Sequence, residues 1–341
     1  MTNFILECYI FIYTIILYLS SIYLCPFTIY IPLHDDQQFY KMSAEIEDTY
    51  AEAFEGCYSE ILVTAKNKKW LSNIVNCATG YATSTIGCGC EAGVDLYLKR
   101  RETPDGRVGV LLQFWIPLWK REYKRNLEHE LIHRIGQCIL TAPTASVFNA
   151  TDSKNKFAVG KKIGFFGDGY QREEKMYGRN MIVIPTMMGE FLIEDNIGFC
   201  EGVMGGNLWF MGDSENSALS AAEMAVDAIS KIKGVITSFP GGICASGSKV
   251  GSKYKFLTAS TNHRYCPSLK YIVNNSLVPD NVNSISEIII NGINEKNLRE
   301  AMKKGIMAGI DVKGLIRISA GNYGGKLGNY RIYLKKIIND L

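Results

Sequence analysis

The chain has 341 residues, 47% of them hydrophobic and 21% charged, with 37 Lys and Arg against 34 Asp and Glu for a formal charge of +3. Such a length predicts two domains or two packed lobes, with enough apolar material for cores that need no metal or disulfide staple. The weak positive charge excludes a nucleic-acid argument and is compatible with a site for anionic small molecules. Ten cysteines are scattered with none at CxxC spacing, which reads as reduced thiols in a cytoplasm.

Residues 1–41 form an apolar extension. Between Cys8 and Leu33 there is no charged residue, a run long enough to cross a bilayer as a helix. No Lys or Arg precedes it, so a secretory signal is a poor reading. Two readings remain open: a membrane anchor with Lys41 on the cytoplasmic side, or a translation start at Met42. Any membrane association depends on residues 1–41 being made.

After Met42, strand-like and helical patterns alternate. Ile61–Ala65 predicts a strand, and Asn67 caps a helix that carries Trp70, Leu71, Ile74 and Val75 on one face and stops near Gly80. Thr103–Arg107 (TPDGR) predicts a turn, Val108–Phe114 a strand and Glu122–Ile139 a helix. In the second half, Asn207–Met211 predicts a strand, Ser214 an N-cap and Ala218–Ile232 a helix leaving at Gly234. Glu287–Ile290, Asn294 and Glu295–Ile310 repeat the pattern, with Leu298, Met302 and Ile306 as a core-facing stripe. The repetition predicts an α+β fold of two related ferredoxin-like sandwich lobes, at 42–188 and 189–341. No GxGxxG follows an early strand, so a Rossmann series is not indicated.

Glycines concentrate at 164–169, 202–206, 241–242 and 321–328, where backbone can approach a ligand closely or simply turn tightly. Gly325-Lys326 lacks the rest of a phosphate-binding loop. His129–His133 reads HELIH, the HExxH pattern of zinc proteases, but Ile139 stands where a third histidine ligand belongs and no Glu follows before Glu173. A solvated helix face is the simpler reading, and zinc proteolysis is a remote alternative. No catalytic role is assigned to Cys88 or Cys90.

Longer strings carry more. TPDGRVGV at 103–110, RIGQCILTAPTAS at 134–146, FFGDGY at 165–170, GEFLIED at 189–195 and GVMGGN at 202–207 come in one order along the chain. FPGGICASGSKVGSKYKF at 239–256, ASTN at 259–262, YCP at 265–267, SEIIINGINE at 286–295 and ISAGNYGGKLGNY at 318–330 continue it. From Met42 onward the chain resembles the formylmethanofuran:tetrahydromethanopterin formyltransferase family. The resemblance implies a homotetramer, a dimer of dimers, that moves a formyl group between these two carriers with no bound cofactor and no metal. It also implies that Glu287 is catalytic, although Ser286 replaces the usual aromatic before it. Without the resemblance, Glu287 would read as an edge carboxylate in a salt bridge.

Loop chemistry within the resemblance suggests further substrate contacts. Gly205, Gly206 and Asn207 would offer oxyanion or amide contacts, and Asp168 and Tyr170 would line the same cleft. Lys249, Lys253 and Lys326 would meet the anionic tails of the carriers, with Asn262 beside them. Gly89, Cys90 and Thr258 depart from positions where the family usually has Pro, and Phe114–Leu127 is unusually aromatic and basic. These departures keep open a paralogue acting as a non-catalytic scaffold or regulatory subunit.

Overall fold

The computed structural model describes residues 43–339; the apolar run at 8–33 lies outside the described residues. The N-terminal lobe runs β1 (Tyr50–Ala65), α1 (Lys68–Thr79), β2 (Glu91–Leu98), β3 (Val108–Pro117), α2 (Tyr123–Arg134) and β4 (Ser146–Asn149). Its strands lie in the order β2-β3-β1-β4. A short helix α3 (Val159–Gly164) follows, then the meander β5 (Arg172–Met176), β6 (Arg179–Thr186) and β7 (Gly189–Glu194), which joins the sheet where β7 pairs with β4 in parallel.

The second lobe repeats the plan. It runs β8 (Cys200–Gly212), α4 (Glu215–Ile229), β9 (Val235–Thr237), β10 (Ser284–Gly292), α5 (Glu295–Gly309) and β11 (Leu315–Ser319), with strand order β9-β10-β8-β11. Both lobes therefore have the βαββαβ connectivity and strand order of a ferredoxin-like sandwich. The chain ends with β12 (Tyr330–Tyr333) and α6 (Leu334–Asn339).

The caps are those the spacing predicts. Asn67, Ser214 and Asn294 side chains accept from the N–H of Trp70, Ser217 and Asn297 at 3.1, 3.3 and 2.9 Å. The stripe Leu298, Met302 and Ile306 is buried in the second core, as are Leu71 and Ile74 in the first. The helix expected over 122–139 is α2 continued by a π-helical turn at Ile135–Ile139.

One strand is longer than its apolar pattern. The expected strand at 61–65 is the end of the 16-residue β1, which carries Glu52, Glu55 and Glu60 among its apolar positions before that end. Its second half pairs with β3 and β4 in the first lobe. Its first half pairs with β8 and with β12, placing Ala51 and Ala53 in the second core. In return, Phe191, Ile193, Ile197 and Phe199 pack in the first core.

Glu52, buried on β1, anchors the C-terminal glycine loop. Its Oε2 accepts from the N–H of Tyr323 at 2.7 Å and of Gly325 at 3.0 Å; its Oε1 accepts from Gly328 at 2.9 Å and from Leu327. The loop can wrap a carboxylate because Gly324 and Gly325 take φ of +69° and +75°, and because a Cβ at Gly328 would collide with the Ala53 carbonyl. Burial alone would raise the Glu52 carboxyl, but the four N–H groups outweigh it and hold the group below its ordinary value.

Because the folded value is depressed, the stabilisation is present above the unfolded carboxyl value and lost as pH falls through the folded one. Glu52→Gln sets an amide NH2 against N–H donors and is expected to cost about 2–3 kcal/mol at neutral pH. Thermal melts of parent and variant should converge as pH drops below about 4. A pH-independent difference would remove the carboxylate clamp as the cause.

Candidate active site

A cleft of about 750 Å³ opens between the lobes. Strand alternation decides what faces it. On β10, Ile288 and Ile290 point into the second core, so Glu287, Ile289 and Asn291 take the opposite face. On β8, Leu208 and Phe210 enter the same core, while Asn207 and Trp209 turn to the cleft. The loop after α1 (83–88), Glu91 at the head of β2, and segments around 246–248, 259–261 and 321–327 complete the walls.

Trp209 and Glu287 are directly opposed in the antiparallel register. The indole Nε1–H donates to Glu287 Oε1 at 2.8 Å, and the Trp209 ring meets Tyr265 edge-on at 4.6 Å between centroids. Glu287 also exchanges backbone hydrogen bonds with Cys244, at 2.7 and 3.1 Å. Burial pushes the Glu287 carboxyl up; the Trp209 indole and the Cys244 thiol offset only part of that. Tyr323 lines the same cleft, its phenol pushed up by burial and by the carboxylates of Glu287 and Glu52, so it stays a hydroxyl donor.

A further carboxyl is buried at another wall. Glu91 Oε2 accepts from Asn291 Nδ2 at 2.8 Å, and Oε1 accepts from the Thr85 N–H at 3.2 Å and hydroxyl at 3.4 Å. Asn291 Oδ1 in turn accepts from the Gly205 N–H at 3.0 Å. The strand β2 has no predicted counterpart, and neither Glu52, Glu91 nor Trp209 is marked by any motif. Their signal is structural: polar groups at positions whose neighbours all pack into cores.

Of the residues expected at the site, Glu287, Gly205 and Asn207 line the cleft. Of the 205–207 groups expected to face substrate, two have partners within the chain. The Gly205 N–H is already taken by Asn291, and the Asn207 amide donates to the carbonyls of Gly205 and Gly321 and accepts from the Gly321 N–H at 2.5 Å. They build the floor. Gly206 faces the core, where a Cβ would meet Leu298.

Asp168 and Tyr170 do not line this cleft; they sit on an exposed turn after α3, with Tyr170 80% exposed. Lys249 Nζ is held inside a small hairpin, donating to Ser260 Oγ at 2.9 Å and the Gly251 carbonyl at 3.3 Å, while its neighbour Val250 reaches the cleft. Lys253 and Lys326 are exposed, Lys326 on the loop that Glu52 anchors. Asn262 follows the lining residue Thr261 and starts a 3-10 turn.

The HELIH motif serves the fold. His129 and His133 are exposed on α2 with rings 3.9 Å apart, and no cluster of three metal-ligating side chains occurs among the described residues. Glu130 pairs with Arg134 at 3.0 Å, and the Arg134 guanidinium donates to the carbonyls of Ala78, Gly80 and Tyr81. That fork holds the end of α1 and the start of the loop that walls the cleft.

Comparison with known proteins agrees with this architecture lobe by lobe. Residues 40–186 match the family model described as formylmethanofuran-tetrahydromethanopterin formyltransferase, and residues 189–337 match the model of its proximal lobe. The formyltransferase of Methanothermobacter thermautotrophicus is 53% identical over 292 residues, 85% of this chain and 97% of the relative. That of Methanocaldococcus jannaschii is 48% identical over 86% of this chain and 97% of its own length. Among solved structures, the Methanosarcina barkeri formyltransferase superposes with a TM-score of 0.82 at 48% identity, covering 86% of this chain and 98% of that one. The formyltransferase/hydrolase complex of Methylorubrum extorquens, solved with methylofuran, contains a chain with a TM-score of 0.80 at 39% identity, covering 86% and 96%. With both lobes matched in order and over nearly the whole length of its relatives, the chain belongs to the formylmethanofuran-tetrahydromethanopterin formyltransferase family.

Proposed function

We propose that this protein transfers a formyl group from formylmethanofuran to a ring nitrogen of tetrahydromethanopterin by direct attack, with both carriers bound together and Glu287 as acid and base. The observation that carries the reading is Glu287 itself, desolvated in the interlobe cleft yet held by Trp209 Nε1–H. The family supplies the two carriers, and the name its relatives bear supports them as substrates.

In the first step the pterin nitrogen forms a bond to the formamide carbon, and the carbonyl oxygen takes up negative charge. The attacking nitrogen must then lose a proton, and the methanofuran nitrogen must gain one before its bond to carbon breaks. One carboxyl near both nitrogens can carry that proton across, and a raised value brings donation and acceptance closer to balance at neutral pH. Tyr323, kept neutral, is a hydroxyl of the cleft wall that can turn to the oxyanion from the Ser248 carbonyl, to which it donates at a long 3.5 Å. No covalent enzyme intermediate is needed.

Assembly as a dimer of dimers and residence in the cytoplasm belong to the same reading. Exposed Phe165, Phe166, Met187 and Met188 on the first lobe are apolar material for such contacts.

Formyl transfer by the full chain, followed as methenyl-tetrahydromethanopterin with an added cyclohydrolase, tests the function. Turnover should be measurable, and Glu287→Gln should lower kcat by about a hundredfold to ten-thousandfold with both carriers still binding. A folded parent with no turnover would favour the scaffold reading. A second variant separates the role of Trp209: its N–H stabilises the ionised carboxyl, so Trp209→Phe raises the Glu287 value further. The acid limb of kcat should then move to higher pH by about one unit. An unmoved limb with lower kcat would mean that Trp209 only packs.

A further inference from the structure

The cleft floor has two polar ends. Glu287, Ile289 and Asn291 follow one another along the face of β10 turned away from the second core, so the Cα atoms of 287 and 291 are on the order of 13 Å apart. Asn291 is covered by the Glu91 carboxyl, which lines the cleft and is only 5% exposed. Apolar Ile289 lies between the two ends, and the Phe54–Trp119 aromatic pair, with centroids 4.2 Å apart, forms part of the same walls.

The hydrogen bonding of Glu91 is one-sided. Because Asn291 Oδ1 accepts from Gly205, the Asn291 NH2 must face Glu91 as a donor, and the Thr85 N–H is a donor as well. Both are neutral. Burial pushes the carboxyl up, and Lys120 offsets part of that cost through its charge. A carboxylate has about four acceptor positions. Asn291 uses one on Oε2 at 2.8 Å and Thr85 uses both on Oε1, at 3.2 and 3.4 Å, so one position is open on Oε2 and a second opens on Oε1 when the Thr85 hydroxyl rotates away. A desolvated carboxylate in an open cleft is matched by a ligand edge with two adjacent N–H donors.

Building on the function proposed above, we infer that Glu91 is the residue that recognises the pterin. Its two oxygens accept the ring N3–H and the exocyclic 2-amino N–H of the 2-amino-4-oxo edge. The fused rings then lie along the Ile289 floor and bring the nitrogen on the far side of the bicycle to Glu287. The furan-linked carrier has no such donor pair at its formamide, so Glu91 discriminates between the carriers.

The test uses the full chain and two probes, tetrahydropterin and tetrahydrolumazine, which has oxygen in place of the 2-amino group. The parent should bind tetrahydropterin about tenfold to a hundredfold more tightly in equilibrium titration. Equal affinities would overturn the assignment, whether or not the protein turns over. In Glu91→Gln the preference should shrink to less than about threefold, and the KM for tetrahydromethanopterin should rise with that for formylmethanofuran unchanged. If both KM values rise together, Glu91 is a brace between lobes and the inference fails. Should the variant not fold, the two-probe comparison on the parent decides alone. Failure of formyl transfer by the parent would refute the function without touching that comparison.

Discussion

Strand β1 belongs to both lobes, and the site exists because of that sharing. Its second half is the central strand of the first sandwich, paired with β3 and β4. Its first half pairs with β8 and β12 and contributes Ala51 and Ala53 to the second core. A continuous strand cannot bend freely, so the two cores have a fixed spacing and the cleft beside the strand has fixed walls. Glu52 and Phe54 sit on the stretch where the strand passes from one lobe to the other, and both line the cleft. Lobe packing and cleft geometry are thus one constraint.

Three glutamates in that cleft show how environment separates identical side chains. Glu52 accepts from four backbone N–H groups, which outweigh burial and hold it ionised. Glu287 has one indole N–H and a thiol, too little to offset burial, and its value rises. Glu91 also rises, although every partner of fixed polarity around it is a donor. The first is therefore structural and the second suits proton transfer. The third is a buried acceptor that internal bonds leave incompletely matched. The number of N–H groups decides among these fates, since all three carboxyls are desolvated.

Much of the frame was legible because it rests on local rules. Asn67, Ser214 and Asn294 cap helices through contacts three residues away, and the Leu298–Ile306 stripe follows helical period. The exchanged strands were not legible, because the carboxylates of β1 interrupt its apolar pattern and their partners lie far along the chain. Glu52 bonds residues more than 270 positions away, and Glu91 bonds one 200 away. Glycine-rich loops were a partial signal: they mark where backbone comes close, as Gly205 and Gly321 do around Asn207. They do not say whether the close neighbour is a ligand or another loop. The exposed turn at Asp168 and Tyr170 has the same composition and lies elsewhere.

The HELIH helix shows why spacing alone misleads. Its two histidines do share a face, as the period requires, but that face is solvent. The chemistry of the motif has been turned inward by one residue, Arg134, which occupies Glu130 and places its remaining N–H groups on the carbonyls that end α1. Helix ends leave such carbonyls without partners, and a guanidinium fork can take several of them together. The next residues, 83–88, are one wall of the cleft and supply Thr85 to Glu91. A glutamate that resembles a protease base therefore contributes to the cleft wall at one remove, by fixing the arginine that fixes the loop.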